Sequence, residues 1–252
     1  MALIDLQSIS ISLPIYNARG RALKTEILRR TVGGNIEHPK DRRVTVIQAL
    51  DDVTLRVNDG ERVGLVGRNG AGKTTLLRVM SRIYPPTSGT VRILGSISSM
   101  TDLSVGMNPE ASGYENILMR GIMLGLTRKQ AAALIPDVED FTELGEYLEL
   151  PIRTYSAGMM LRLAFAVSTA VKPDIIILDE MVSAGDAAFM EKARARLTEL
   201  IKHASILVLA THDDGTLKQL CTVAVWMNAG RMAAVGDIDS VLAQYHSEVE
   251  KV

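Results

Sequence analysis

The octapeptide GRNGAGKT at 67–74 constrains this chain more than any other feature. It fits G-x-x-x-x-G-K-[ST], follows the apolar run RVGLV and precedes LLRVMSRI, which has helical periodicity. Its glycines let backbone N–H groups close on a phosphate, and the helix start behind them adds positive potential. The motif needs a strand-to-helix turn, so the surrounding chain must build an α/β sheet. Gly67, Arg68, Asn69, Gly70, Ala71, Gly72, Lys73, Thr74 and Thr75 are the candidate nucleotide-binding residues. Lys73 would reach the β- and γ-phosphates and Thr74 would ligate Mg2+.

The rest of the chain supplies such a sheet. LIDLQSISISL at 3–13 alternates as a half-buried strand would, with Pro14 expected to close it. VTVIQALDDVTLRV, TVRILGSIS, DIIILDE and SILVLATHD read as further strands, and TVAVWMNAGRMAAVG as a hairpin before a last helix, SVLAQYHSEVE. Continuous apolar strands between helices mean a buried parallel sheet. Residues 108–170 differ: YENILMRGIMLGL and TRKQAAALIPDVEDF are helical, and the region reads as an insertion. Residues 21–31 suit a short amphipathic helix within an insert at 14–45. From Arg19 to Arg43 eight Lys or Arg face three acids, which fits either a solvated loop or a basic contact surface.

Two strand ends carry acids or a histidine. IIILDE ends in Asp179, suited to Mg2+, and Glu180, suited to polarise an attacking water. His212 follows the next strand and is the candidate γ-phosphate contact, while SAGD at 183–186 makes a turn ending in Asp186. A second anion-suited helix start appears at YSAGMM. There Ser156 is placed as an N-cap, and Ala157 and Gly158 leave the first N–H groups uncrowded.

The net charge of −1 speaks against a protein that coats nucleic acid, and Cys221 as the sole cysteine fits a reducing cytoplasm. Asp5 interrupts the first apolar residues, so no secretory signal is expected. The longest apolar stretches are too short or interrupted to span a bilayer.

In order and spacing, GRNGAGKTT, YSAGM, IIILDE, SAGD and THD resemble ABC-type ATPase subunits. The resemblance implies one ABC ATPase domain over 1–252: a P-loop NTPase core, RecA-like and mainly parallel, with an antiparallel β edge region and an inserted α-helical subdomain at 108–170. It also implies a head-to-tail homodimer in which Ser156, Ala157, Gly158 and Met159 serve the partner's γ-phosphate, with ATP and Mg2+ as cofactors. SISSMTDLSVGMNPEASGYENI, ELGEYLELPIRTYSAGMMLRLAFAV and MVSAGDAAF look like the branch that exports lipid-linked polysaccharides such as O-antigens, capsules and teichoic acids. The partners implied are an integral-membrane permease pair, and the place is the cytoplasmic face of the bacterial inner membrane. In that branch the 14–45 insert carries a short helix near the transport path, so Arg21, Lys24, Arg29 and Arg30 would meet a pyrophosphate-lipid head or anionic headgroups.

Three departures from the family pattern stand out. Where most relatives have glutamine, this chain has Asp102 or a neighbour, as a candidate link to Mg2+. No aromatic residue immediately precedes ALDDV, and Tyr16 is the candidate to stack on adenine, against ordinary packing. By the resemblance the sequence ends about where the ATPase does, so the added carbohydrate-binding domain of some relatives is not expected. The competing readings are an ATPase for a small-molecule importer or drug exporter, and a soluble ABC ATPase.

Overall fold

The structure, a computed structural model, describes residues 1–16, 35–37, 44–101, 103, 105–179 and 187–249. The predicted 21–31 helix, Asp102, Glu180 and Asp186 lie outside the described residues. The chain divides into two compact units, Met1–Leu94 with Leu178–Glu180 and Ser205–Val252, and Gly95–Ile177 with Met181–Ala204.

In the first unit β1 (Leu3–Tyr16), β2 (Asn35–Glu37), β3 (Val44–Asn58) and β5 (Ser88–Leu94) form an antiparallel sheet in the order β2-β3-β1-β5. Alternation drives it: Ile4, Leu6, Ile9 and Ile11 are buried on one face, opposite Leu50, Val53, Leu55 and Val57. Left-handed backbone at Ser8 (φ 49) and Asp52 (φ 52) accompanies the register shifts between β1 and β3. Contrary to the sequence expectation, Pro14 does not close the first strand, which pairs with β3 as far as Tyr16 opposite Val44. Pairing with β5 has already ended at Ser10, so Pro14 sits where one side of β1 needs no ladder donor.

A second sheet in this unit runs β10-β9-β4-β8, followed by the end of β7. These strands are β4 (Arg62–Val66), β8 (Ile206–Ala210), β9 (Val223–Asn228), β10 (Arg231–Asp237) and β7 (Ile175–Asp179). β4 lies parallel to both β8 and β9, and β10 returns antiparallel to β9. All of β8 and nearly all of β4 are buried, as continuous apolar runs require. Among the described residues three helices belong to this unit: α1 (Lys73–Met80), α7 (Asp214–Leu220) and α8 (Ile238–Val249). α1 stops earlier than LLRVMSRI suggests. Arg82 takes the left-handed position (φ 59) and the Ile83 N–H folds back on the Arg78 carbonyl at 2.9 Å, a helix closure usually built on glycine.

In the second unit β6 (Ile97–Ser99) pairs parallel with Ile175–Ile177 of β7. The predicted single strand TVRILGSIS is thus two strands, broken at Gly95 (φ 109). The helices are α2 (Gly113–Met123), α3 (Arg128–Ala132), α4 (Ile135–Thr142), α5 (Ala157–Thr169) and α6 (Ala187–His203). TRKQAAALIPDVEDF is two helices because Pro136, lacking an N–H, is tolerated in a first turn and not in a helix interior. Ser112 with Glu115, and Thr127 with Gln130, form capping boxes that fix where α2 and α3 begin. Ile117, Val138, Leu148, Ile152, Leu163 and Val167 build the core, and the rings of Phe141, Phe165 and Phe189 meet within 6.0 Å of one another. Buried Asn116 donates to the carbonyls of Asn108, Ala111 and Ser112 and accepts from the Asn108 N–H, which shapes the turn before α2.

Candidate nucleotide site

The site grows from the C-terminal end of β4. Gly67 (φ 149) turns the chain where a Cβ would strike the Met227 carbonyl of β9. Gly72 (φ 104) is the N-cap of α1, and a Cβ there would lie 2.9 Å from the Ala49 carbonyl of β3. The loop is also gripped from behind: the Gly230 N–H, in the β9–β10 turn, donates to the Ala71 carbonyl at 3.0 Å. That turn is tied to β3 by the Asp51 N–H on the Gly230 carbonyl (2.9 Å) and by Arg231 Nε on Asp51 (2.8 Å).

Lys73 is buried, and its Nζ donates to the carbonyls of Gly67 (2.5 Å) and Arg68 (3.2 Å). The first turn of α1 holds no acid, so its N–H groups and dipole favour an anion. Around it lies a cavity of about 510 Å3 lined by Asn69, Gly70, Ala71, Gly72, Lys73, Thr74 and Thr75, with Asp179, Thr211 and His212. Residues this distant in sequence meet because β4, β8 and the end of β7 lie side by side, and loops after parallel strands gather at one sheet edge. The turn after His212 is set by Asp213, which caps α7 through the Thr216 N–H (2.9 Å). The Thr216 hydroxyl, then its N–H, hold the Asp213 carboxyl below the usual carboxylate range.

These residues suit a nucleoside triphosphate with Mg2+: backbone donors and Lys73 for phosphates, Thr74 and Asp179 as hard oxygen ligands. Among the described residues no group of three or more His, Cys, Asp or Glu is placed to hold a metal.

Of the residues singled out from sequence, Asn69 through Thr75, Asp179 and His212 line this cavity, while Gly67 and Arg68 supply carbonyls to Lys73. Tyr16 ends β1 opposite Val44; its side chain lies outside the described residues, as do Asp102, Glu180 and Asp186. Ser156 caps α5 as expected, its Oγ accepting the Met159 N–H at 3.2 Å. Ser156, Ala157 and Gly158 are exposed, and a Cβ on Gly158 would approach only Ser156 Oγ, at 3.9 Å. That helix start belongs to the second unit and the phosphate loop to the first. Sequence reasoning missed Ile47, Gln48, Ala49 and Thr211 in the cavity wall, and Gly230 behind the loop. A turn signal in NAGR was the one available clue to Gly230.

The ABC transporter family profile matches residues 50–183. The O-antigen export system ATP-binding protein RfbE of Yersinia enterocolitica is 45% identical over 221 residues, 88% of this chain and 92% of that protein. The teichoic acids export ATP-binding protein TagH of Listeria innocua is 37% identical over 212 residues, and the alignment spans 84% of this chain and 63% of TagH. Among solved structures, a post-hydrolysis dimer of the ATP-binding cassette MJ0796 with ADP and Pi superposes with a TM-score of 0.65. It shares 19% identity and covers 93% of this chain and 98% of that one, a likeness of fold alone. By the family match and the identity to RfbE, the chain belongs to the ABC transporter family.

Proposed function

We propose that this chain is the ATP-hydrolysing subunit of a transporter that exports a lipid-linked polysaccharide across the cytoplasmic membrane. The convergence of Lys73, Thr74, Asp179 and His212 on one cavity behind a phosphate loop carries the reading. Similarity to O-antigen and teichoic acid export proteins supports the polysaccharide branch.

Loop N–H groups and Lys73 bind the phosphates, and Thr74 with Asp179 would hold Mg2+, which would supply neutralisation of phosphate charge. Glu180 polarises a water whose oxygen attacks the γ-phosphorus in line. The bond to the β–γ bridging oxygen breaks, and ADP leaves with the electron pair. Lys73 and His212 offset charge on the transferring group. Two copies work head to tail, so that Ser156, Ala157, Gly158 and Met159 of one close on the γ-phosphate held by the other, and Asp186 serves the contact between copies. The dimer sits on a permease pair at the inner face of the membrane. No helix among the described residues is long and apolar enough to cross a bilayer. Stronger ATP binding to the closed dimer than to the open one is the differential affinity that drives the permease.

The test is phosphate release by the purified chain with Mg2+–ATP, alone and with its permease in lipid. Wild type turns over, Lys73→Ala loses about 10²–10³-fold in rate, and the permease co-purifies. Equal activity in wild type and Lys73→Ala would remove the reading.

A further inference from the structure

His212 stands at the cavity wall, and α7 begins two residues after it. At seven residues α7 is too short to hold itself together in water, so its neighbours decide where it lies. Leu217 is its one buried side chain, seated over Gly64 of β4, where a Cβ would come within 2.6 Å of Leu217 Cδ2. One apolar contact fixes a point and leaves the helix able to turn about it. The turning is stopped from α8. His246 Nε2 lies 2.7 Å from Asp214 Oδ2, and Lys218 Nζ lies 2.6 Å from Asp239 Oδ1.

Asp214 and Lys218 are four residues apart on α7, and Asp239 and His246 are seven apart on α8, so each pair shares one helix face. The start of α7 therefore meets the end of α8, and two ties set the direction of α7. A carboxylate only accepts, so His246 Nε2 is the donor to Asp214. α8 is itself seated by packing: Ile238, Val241 and Leu242 are buried, and Tyr245 meets Trp226 edge-on at 6.1 Å. Trp226 belongs to β9, whose next residue, Met227, turns its carbonyl toward Gly67 of the phosphate loop. The last helix thus rests on the strand behind the loop and reaches across to the helix that follows His212.

We propose that His246 is a positioning residue for ATP hydrolysis: it holds the first turn of α7 and so aims His212 at the γ-phosphate. It acts through Asp214, not on the nucleotide. This rests on the hydrolysis reading above and deepens it, by giving α8 a part in setting the rate.

The measurement is steady-state ATP hydrolysis by the full chain with its permease in lipid. His246→Ala should lower kcat about two- to fivefold at unchanged KM, the range that an exposed ion pair allows. His246→Gln, which keeps an N–H donor for Asp214, should restore most of the loss. In a His212→Ala background, His246→Ala should cost nothing further, because the group it positions is gone. Emission of Trp226, the sole tryptophan, should match wild type in His246→Ala, with α8 still in its seat. An unchanged kcat in His246→Ala would overturn the proposal. So would an equal fractional loss with and without His212, or a loss that comes with shifted Trp226 emission, since either marks a general loosening. If His212→Ala alone hydrolyses ATP like wild type, the role of His212 falls first and takes this proposal with it.

Discussion

The N–H of Gly230 donates to the carbonyl of Ala71 over 3.0 Å, so a hairpin turn without reactive side chains holds the phosphate loop in shape. Gly230 has φ +81, and a Cβ there would stand 2.9 Å from the Ala49 carbonyl. Gly230→Ala should lower unfolding free energy by about 1–3 kcal/mol and weaken ATP binding together with it, read by urea melts and nucleotide titration. Arg231→Ala removes an ion pair that is exposed on the Arg231 side and should cost under about 1 kcal/mol.

The same turn carries Ala229 at φ 48, in the two-residue loop set by pairing of Arg231 with Asn228. A turn with left-handed backbone at both central residues prefers Asn-Gly. Ala229→Asn should therefore raise stability by about 0.5–1 kcal/mol, measurable as a higher urea midpoint at unchanged m-value. A lower midpoint would count against this reading of the turn.

Phe165 is buried in the second unit, stacked on Phe141 at 5.9 Å and edge-on to Phe189 at 6.0 Å. Arg196 stands over the Phe141 ring at 4.6 Å and Arg162 over the Phe189 ring at 5.3 Å, closing the aromatic cluster. Phe165→Ala should cost about 3–5 kcal/mol through lost burial and a cavity. Phe165→Leu, keeping most of the volume, should cost clearly less. Equal losses in the two variants would contradict the packing argument.

Cys221 is buried against the side-chain-free face of Gly64, and burial pushes its thiol up to about 12. Its pKa in the folded chain lies above the unfolded value, so folding favours the neutral thiol. That stability is complete below about pH 8.5 and is lost as pH rises toward about 12. Native Cys221 should resist iodoacetamide at pH 8 and react on unfolding. The alkaline fall in stability should be shallower in Cys221→Ala; an identical slope would count against the burial argument.

Local chemistry made the phosphate loop readable: its residues are contiguous, and their spacing follows from backbone geometry around a phosphate. Asp179 and His212 were readable because parallel strands deliver their C-terminal ends to one edge. Gln48 was not, since its place in the cavity depends on β3 pairing with β1, and a glutamine in an apolar run carries no motif. The break at Gly95 was hidden for a related reason: both halves of TVRILGSIS are good strands, and only tertiary structure sends them to different sheets. Likewise the end of α1 lacked its usual glycine, because Arg82 takes the left-handed position and anchors its guanidinium on the Ile93 carbonyl at 2.8 Å.

The most direct test of the central claim is Glu180→Gln in the cell that makes this protein, with lipid-linked glycan measured on the cytoplasmic side. The substitution should permit ATP binding, stall hydrolysis, trap lipid-linked glycan inside and remove the surface polymer. Hydrolysis that stops while every surface and lipid-linked glycan stays normal would contradict export of polysaccharide and leave only the ATPase.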